Sequence, residues 1–351
     1  MQATLNMQTT TIQLPKPIIK WVGGKTKIIG EIFKKMPKKI HNYHEIFLGG
    51  GSVLFAILHL RNLEQIQITG KIAAYDINEP LIYVYKNIQS WPNELYDKIV
   101  ELIQEFNKAS NQAIAKDMNK KTLTKEDALI SKEVYYYWIR LQYNNMTAIE
   151  KRSIAGSAMF IFLNKTCFRG VFRLNQKGEY NVPYGNNKNP EIINRAHLNE
   201  ISALIQDVVF ECANFKESLS GQFTEDDFIY MDPPYAPESN TSFVSYSADG
   251  FGLLENTELF TLCSQLVQTC EPEPATPLTF INDYISMGQT RPTSQCNNQT
   301  CKWLMNNADV KLVRDNFPPN RYTITEIRCR RAINCINPNA QADELIITNY
   351  L

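Results

Sequence analysis

Long apolar runs are absent from this chain of 351 residues, and none of its stretches is apolar for long enough to cross a bilayer as a helix. The first eleven residues are polar and rich in threonine, unlike the charged and apolar regions of a signal peptide. With 44% hydrophobic residues the chain can still bury a sizeable core. The sequence therefore predicts a soluble intracellular protein that is neither secreted nor bound to a membrane.

Histidines and paired cysteines, the usual ligands of transition metals, are also scarce. The four histidines show no ligand spacing, and the eight cysteines contain no C-x-x-C pair. Only Cys296 and Cys301 raise the question of a zinc site, and no matching pair of histidines or cysteines lies near them in the sequence. We therefore expect no metal, and the scattered cysteines are typical of a reducing compartment.

Net charge is absent as well, because 36 lysines and arginines balance 36 aspartates and glutamates. This balance argues against a uniformly basic coat for nucleic acid. The charges are unevenly distributed, however: basic residues cluster at 16–39, 151–195 and 314–331, and acidic residues gather at 200–273. Basic faces of this kind can meet phosphate, although each cluster taken singly is better explained as a solvated helix or loop face.

The most informative residues present are Asp232, Pro233, Pro234 and Tyr235, which directly follow the apolar run at 228–231. Proline lacks a backbone donor, so the turn leaves carbonyl oxygens as acceptors beside the Asp232 carboxylate. Two acceptors can hold an exocyclic amino group, and the tyrosine ring can lie flat on the base that carries it. Taken alone, the motif is equally consistent with a strand that ends in an ordinary Pro-Pro turn.

A second pattern points to a nucleoside cofactor. The run H-E-I-F-L-G-G-G-S at 44–52 predicts a strand, a glycine turn and a helix in that order. Glycines let a ligand approach the backbone, and the helix start offers free N–H groups. The next apolar run ends in Asp76, an acid placed to accept the hydroxyls of a ribose. The turn lacks the full G-x-G-x-x-G spacing, so NAD is the weaker interpretation.

The apolar runs predict one α/β domain with a mostly parallel, doubly wound, Rossmann-like sheet, interrupted by a mainly helical insert. We divide it into a first catalytic part at 12–77, a recognition insert at 78–195 and a second catalytic part at 196–351. The predicted strands are 43–47, 72–75, 208–212, 228–231, 278–281, 310–313, 323–327 and 345–348.

These motifs occur together in a known order. The opening K-W-V-G-G-K at 20–25, the glycine turn, the acidic strand end and D-P-P-Y resemble the Dam family of DNA adenine-N6 methyltransferases. The similarity continues through 163–173 and 178–185 and closes at 342–350, so it covers the chain from about residue 17 to its end. It implies S-adenosylmethionine as methyl donor, double-stranded DNA as substrate, a target adenine flipped out of the helix, and a reaction that needs no metal.

The resemblance also assigns roles to individual residues. Asp232, Pro233, Pro234 and Tyr235 would form the catalytic site. The cofactor would be bound by Trp21, Lys25, Glu45, Phe47, Gly49, Gly51, Asp76, Asn214, Phe215 and Asp232. For Phe215, simple core packing is an equal alternative. DNA would be contacted by Lys20, Phe168, Arg169, Arg173, Asn186 and Asn187, with Arg173 reading a guanine and Phe168 wedging into the helix.

The chain departs from the GATC-specific members of the family at positions expected to touch DNA. Asn186 and Asn187 stand where those members have Arg-Tyr, and Arg169 replaces an asparagine. GATC and another short site with a central adenine, such as CATG, are therefore both open. An RNA adenine methyltransferase and a non-catalytic DNA-binding homologue are the alternative functions. A cognate restriction endonuclease is a possible partner, and we expect a monomer or weak dimer.

Overall fold

The computed structural model describes residues 4–7, 10–110, 124–237, 251–266, 301–330 and 341–351. Its strands are β1 (Thr4–Met7), β2 (Thr10–Gln13), β3 (Lys39–Ile40), β4 (Tyr43–Glu45), β5 (Gln67–Ile68), β6 (Ile72–Asp76), β7 (Val208–Cys212), β8 (Phe228–Met231), β9 (Lys302–Ala308), β10 (Thr323–Arg330) and β11 (Gln341–Thr348). Its α-helices are α1 (Ile29–Lys35), α2 (Ser52–Asn62), α3 (Glu79–Ser90), α4 (Pro92–Lys108), α5 (Lys125–Ala128), α6 (Lys132–Asn145), α7 (Ala148–Lys151), α8 (Ile154–Thr166), α9 (Arg195–Leu204), α10 (Phe215–Leu219), α11 (Leu253–Gln265) and α12 (Lys311–Asn316).

A seven-stranded sheet with the order β10-β11-β9-β8-β4-β6-β7 lies at the centre of the protein. Every pair from β9 to β7 is parallel, whereas β11 runs antiparallel to both of its neighbours. The pairs β1–β2 and β3–β5 form small separate sheets. The predicted mixed α/β fold with a mostly parallel sheet is thereby confirmed.

Strand β8 shows why these residues form a central strand. All four of its residues are buried, with Phe228 and Tyr230 in one apolar cluster and Ile229 and Met231 in another. Successive side chains of a strand point to opposite faces, so the two clusters cover the two faces of the sheet. A continuous apolar run is what a parallel strand needs when both of its faces are covered.

The order in which the chain adds strands to the sheet reverses at β4. From β4 the chain passes through α2 to β6 and β7, while β8 and β9 extend the sheet on the other side of β4. Helix α2 packs in one apolar cluster and α11, which follows β8, packs in the other. Parallel sheets bind ligands in the crevice that opens at such a point. Here that crevice receives the glycine turn after β4 and the Asp-Pro-Pro-Tyr turn after β8.

The helices between residues 78 and 195 pack around α8, whose apolar sequence is mostly buried. Helix α8 contacts α3, α4, α6 and α7. Helix α3 also contacts β6 and β7, so the beginning of this segment lies against the sheet as well. The division into parts at 12–77, 78–195 and 196–351 stays a prediction.

One strand prediction is wrong. The run at 310–313 leads into helix α12, with Val313 buried in the cluster that also holds Ile229. A four-residue apolar run does not distinguish a strand from one turn of a helix. The strand in this part of the chain is β9, which ends in the buried residues Asn306 and Asn307 and therefore lacks a continuous apolar pattern.

The remaining predictions for the second half of the chain fall into two groups. The runs at 323–327 and 345–348 fold as parts of β10 and β11, as predicted. The strand predicted at 278–281 lies outside the described residues.

Candidate active site

Asp232 lies directly after the carboxyl end of β8 and forms an ion pair with Lys25. The distance from Lys25 Nζ to Asp232 Oδ2 is 2.8 Å, and the two side chains are 5% and 19% exposed. Lys25 is held in place because its Nζ also donates to the Gly23 carbonyl at 2.6 Å and its backbone N–H donates to Ser52 Oγ at 3.2 Å. The structure thus brings a residue predicted to bind cofactor against the predicted catalytic carboxylate.

Two opposing effects set the charge of Asp232. Burial raises the pKa of Asp232 to about 6, while the ammonium group of Lys25 opposes that increase and the nearby Glu344 carboxylate adds to it. At neutral pH the side chain is therefore mostly ionised, and it can accept hydrogen bonds from a bound amino group. Without the lysine, a carboxylate this poorly hydrated would hold its proton more strongly.

Tyr235 lies in the same cluster of side chains. Lys25 Nζ lies 5.0 Å from the centroid of the Tyr235 ring. The Tyr235 hydroxyl donates a hydrogen bond to Glu344 Oε2 at 2.8 Å. The backbone N–H of Ala236 donates to Asn307 Oδ1 at 2.9 Å. Glu344 and Asn307 were not among the predicted site residues, because their position depends on β9 lying beside β8 and β11 lying beside β9.

The two prolines continue the turn between Asp232 and Tyr235. Pro233 is buried and Pro234 is partly exposed. Neither has an N–H group, so this part of the turn presents only carbonyl oxygens to a ligand.

The glycine turn after β4 has the backbone that glycine allows. Gly49 and Gly51 have φ values of 50° and 70°. A Cβ at Gly49 would lie 2.8 Å from Trp21 Cδ1, so only glycine fits against that ring. The Gly49 carbonyl accepts a hydrogen bond from the hydroxyl of buried Tyr85 at 2.8 Å. Tyr85, which fixes the turn from α3, was missed because nothing in the local sequence marks it.

Asp76 lies at the end of β6, beside the glycine turn. Its Oδ2 accepts from the Gly49 N–H and its Oδ1 accepts from the Asn78 N–H, both at 2.9 Å. Burial raises the pKa of Asp76, and these two hydrogen bonds lower it. A carboxylate has about four lone-pair sites, so two remain for a ligand. Ile77, the next residue, is 65% exposed and offers an apolar surface at the same place.

Glu45 at the end of β4 is 2% exposed and accepts a hydrogen bond from Tyr43 OH at 2.7 Å. Burial raises the pKa of Glu45 to about 8, and the charge of Asp232 contributes to the increase. Glu45 is therefore largely protonated at neutral pH. A cationic group brought next to it would favour the ionised form.

Phe47, which follows β4, lies in a cluster of three phenylalanine rings. The rings of Phe47 and Phe215 stack with centroids 6.0 Å apart, and Phe251 meets both rings edge-on or tilted. Phe215 is buried in the core, which leaves its two predicted alternatives open. Asn214 Oδ1 accepts from the N–H groups of Lys216 and Glu217, so this side chain caps α10.

The N-terminal segment and the segment after α8 contact each other through Lys20. The backbone N–H and carbonyl of Lys20 bond the buried Asn164 amide, each at 2.8 Å. A Cβ at Gly170 would lie 2.4 Å from Lys20 Cβ, so the two backbones approach closely. Burial and the neighbouring Lys20 lower the pKa of Lys165 to about 8. The Lys20 side chain is exposed, and its charge lies near Lys165.

Phe168 and Arg169 form an exposed 3₁₀ turn after α8. Phe168 is 47% exposed, and the Arg169 guanidinium lies 5.3 Å from its ring centroid. Arg169 has a φ of 57°, a left-handed conformation that asparagine adopts more readily than arginine. The resemblance places an asparagine at this position, so the backbone conformation fits the family pattern although the side chain does not.

The remaining predicted DNA-binding residues lie on the surface. Arg173 is exposed and its Nε donates to Asn181 Oδ1 at 2.7 Å, which orients the guanidinium. Asn186 and Asn187 are exposed as well, and Asn186 has a φ of 47°. None of these three residues contacts Asp232 among the interactions of the described residues.

Among the described residues, no group of three or more histidines, cysteines, aspartates and glutamates is arranged to hold a metal ion. Cys301 is buried, while Cys296 lies outside the described part of the chain. Within the same residues, none of the helices has both the length and the apolar character of a membrane span.

Comparison with known proteins identifies the family. The model of the D12 class of N6 adenine-specific DNA methyltransferases matches residues 21–277. The Type II methyltransferase M.MjaIII of Methanocaldococcus jannaschii is 36% identical over 242 residues, which are 67% of this chain and 75% of that protein. A DNA adenine methylase of Haemophilus influenzae is 30% identical over 253 residues, 72% of this chain and 75% of the relative. The family predicted from the motifs is confirmed: the chain belongs to the D12 class of N6 adenine-specific DNA methyltransferases, enzymes that methylate adenine in DNA.

Proposed function

We propose that this enzyme transfers a methyl group from S-adenosylmethionine to N6 of an adenine flipped out of a short duplex site. The observation that carries the proposal is the arrangement at the end of β8. Asp232 is ionised and paired with Lys25 at 2.8 Å, and Tyr235 lies beside the same ammonium group. The arrangement faces the glycine turn and Asp76 across the crevice of the sheet.

The chain fits the proposed cofactor at three points. The left-handed glycines of the turn let a ligand approach the backbone, and two free acceptor sites of Asp76 suit the hydroxyls of a ribose. Exposed Ile77 offers an apolar face for a purine ring, and Phe47 and Phe215 lie near the end of the crevice. Buried Glu45 would ionise next to the ammonium group of a methionine moiety. When bound, S-adenosylmethionine would supply an electrophilic methyl group on its sulfonium, without a covalent enzyme intermediate. The S–CH3 bond would break as N6 bonds the carbon, which would leave S-adenosylhomocysteine as product, and N6 would release one proton once the new bond has formed.

The side chains after β8 act on the amine. The lone pair of adenine N6 is delocalised into the ring, so the nitrogen is a poor nucleophile until that pair is localised. Asp232 and the Pro233 carbonyl would each accept a hydrogen bond from one of the two N6–H groups. These hydrogen bonds favour a pyramidal nitrogen aimed at the methyl carbon. Lys25 keeps Asp232 charged and fixes its orientation. Tyr235 packs on the flipped base and replaces the stacking lost from the helix.

Segment 78–195 would recognise the DNA. Exposed Phe168 would wedge into the duplex, Arg173 would read a guanine edge, and Lys20 would contact bases or phosphate. The target is a short site of the GATC or CATG type. Relatives that are named Type II methyltransferases support a cognate restriction endonuclease as a partner in the cell. We infer that the enzyme acts as a monomer or weak dimer.

One experiment tests the proposal directly. The purified protein is incubated with S-adenosylmethionine labelled in its methyl group and unmethylated plasmid, and the product is sequenced for modified adenines. We expect N6-methyladenine at one short sequence. Asp232→Ala should lower the rate by roughly a hundredfold or more. Asp226→Ala removes an exposed carboxylate just before the same strand and should retain activity. Methylation of RNA of the same sequence, without methylation of the plasmid, would contradict the proposal.

A further inference from the structure

The turn after β8 is held by two strands on the same side of β8, the adjacent β9 and the next strand, β11. Strand β9 continues past the end of β8, and there fully buried Asn307 accepts the hydrogen bond of the Ala236 N–H. The backbone directly after Tyr235 is therefore fixed from β9. Glu344 on β11 pairs with Ala308 at the same end of the sheet and extends its carboxylate to the hydroxyl of Tyr235.

The hydroxyl of Tyr235 is the part of the side chain that stacking does not require, since a phenylalanine ring would cover a base equally well. In this structure the hydroxyl donates to Glu344 Oε2 at 2.8 Å. Hydrogen bonds to an ionised acceptor are shorter and stronger than those between neutral groups. Glu344 of β11 binds the hydroxyl, and Asn307 of β9 binds the next backbone N–H group. Lys25 Nζ lies over one face of the ring, 5.0 Å from its centroid.

We propose that Glu344 is a positioning residue of the methyl transfer, which sets the plane of the Tyr235 ring against the target base through the hydroxyl hydrogen bond. The inference rests on the proposed function, in which Tyr235 packs on the flipped adenine. Without Glu344, the target base would be held slightly out of line and would reach the in-line geometry less often. Removal of Glu344 should therefore lower kcat. Glu344 extends the active site to a strand that lies beyond the region matched by the family model.

Removal of Glu344 has a second effect, which has to be separated from positioning. The negative charge of Glu344 raises the pKa of Asp232, so its removal also changes the catalytic carboxylate. Glutamine distinguishes the two effects because it keeps an acceptor oxygen for Tyr235 but carries no charge.

The experiment is a double-mutant cycle on the full-length enzyme, with adenine methylation in duplex DNA as the assay. We expect Glu344→Ala and Tyr235→Phe each to lower kcat by about tenfold to hundredfold, with unchanged affinity for S-adenosylmethionine. The double variant should be no slower than the slower single variant, because both changes remove the same hydrogen bond. Glu344→Gln should recover most of the activity. Asp343→Ala, which removes the adjacent exposed carboxylate on the same strand, should match the wild type.

Three results would overturn the inference: additive losses in the double variant, a Glu344→Gln variant as slow as Glu344→Ala, or full activity of Glu344→Ala. The second result would assign the effect to charge rather than to positioning. Failure of the proposed function is recognised separately, because the wild type itself would then transfer no methyl group to adenine in duplex DNA.

Discussion

Replacing Lys25 by methionine would test the ion pair at the centre of the site. At 2.8 Å and an effective dielectric constant of about 20, the attraction between the two charges is about 6 kcal/mol, much of it offset by the desolvation of both groups. With Lys25 present, the pKa of Asp232 is raised to about 6. Without it, the carboxylate keeps its burial and loses its partner, so the pKa should increase by one unit or more, a change of at least ~1.4 kcal/mol.

The consequence is visible in the pH dependence of methyl transfer. Protonated Asp232 is a poorer acceptor for the N6 hydrogen that it holds, so kcat/KM should increase with pH through the pKa of this carboxyl in the free enzyme. We expect the acidic limb near pH 6 in the wild type and near pH 7 or above in Lys25→Met. Lys25→Arg should keep the wild-type midpoint, and Lys27→Met, which removes an exposed charge nearby, should also keep it.

A Lys25→Met enzyme that loses activity equally at every pH would refute this reasoning. The lysine would then serve cofactor binding, as the sequence predicts, or folding, and would not set the charge of Asp232. Calorimetric titration with S-adenosylmethionine separates those two possibilities.

Three further predictions concern Asp76, Arg173 and Glu45. Asp76→Ala should weaken S-adenosylmethionine binding as its main defect, since two acceptor sites for the ribose are lost; unchanged affinity in calorimetry would remove Asp76 from the ribose. Arg173→Ala should cost about 1 to 3 kcal/mol at one base pair, and turnover on duplexes altered at single positions checks this, because a uniform loss would indicate a phosphate contact. Glu45→Gln should stabilise the free enzyme at pH 8 to 9. The folded-state pKa of Glu45, about 8, exceeds its ordinary value of 4.5, so wild-type stability should decrease as pH increases between those values. The variant should remove that dependence, which amounts to roughly 3 to 5 kcal/mol in the free energy of unfolding. Denaturant unfolding at several pH values measures it. If Glu45 were ionised throughout, the free energy of unfolding would change with pH equally in the wild type and the variant.

The sequence predicts site residues that come directly at the end of an apolar strand. It misses site residues whose position depends on which strands lie side by side in the sheet. Asp232 and Asp76 each end an apolar run, so local pattern alone places them at the edge of a parallel sheet. Asn307 and Glu344 reach the site only because β9 lies next to β8 and β11 lies next to β9, an order that no local pattern fixes. The pairing of Lys25 with Asp232 is of the same kind, since the two residues are far apart in the sequence.

Burial also limits what the sequence can show. The strand β9 ends in two buried asparagines, so it does not have the apolar run by which its parallel neighbour β8 is recognised. The short run at 310–313, by contrast, is apolar on the face that α12 turns towards the core, and its length is insufficient to distinguish the two periods. In both cases tertiary packing decides the structure.

Trp21 connects two parts of the enzyme that would bind different substrates. One side of its side chain lies against Gly49 and Gly50 of the glycine turn, and its ring stacks on Phe172 at 5.5 Å in the segment that carries Arg173. A shift of the ring on one side therefore requires an adjustment on the other. By thermodynamic reciprocity, if the methyl donor changes the affinity for DNA through this contact, then DNA changes the affinity for the donor by the same factor. The Trp21 side chain would then influence the order in which the donor and DNA bind and leave, as much as the two binding surfaces do.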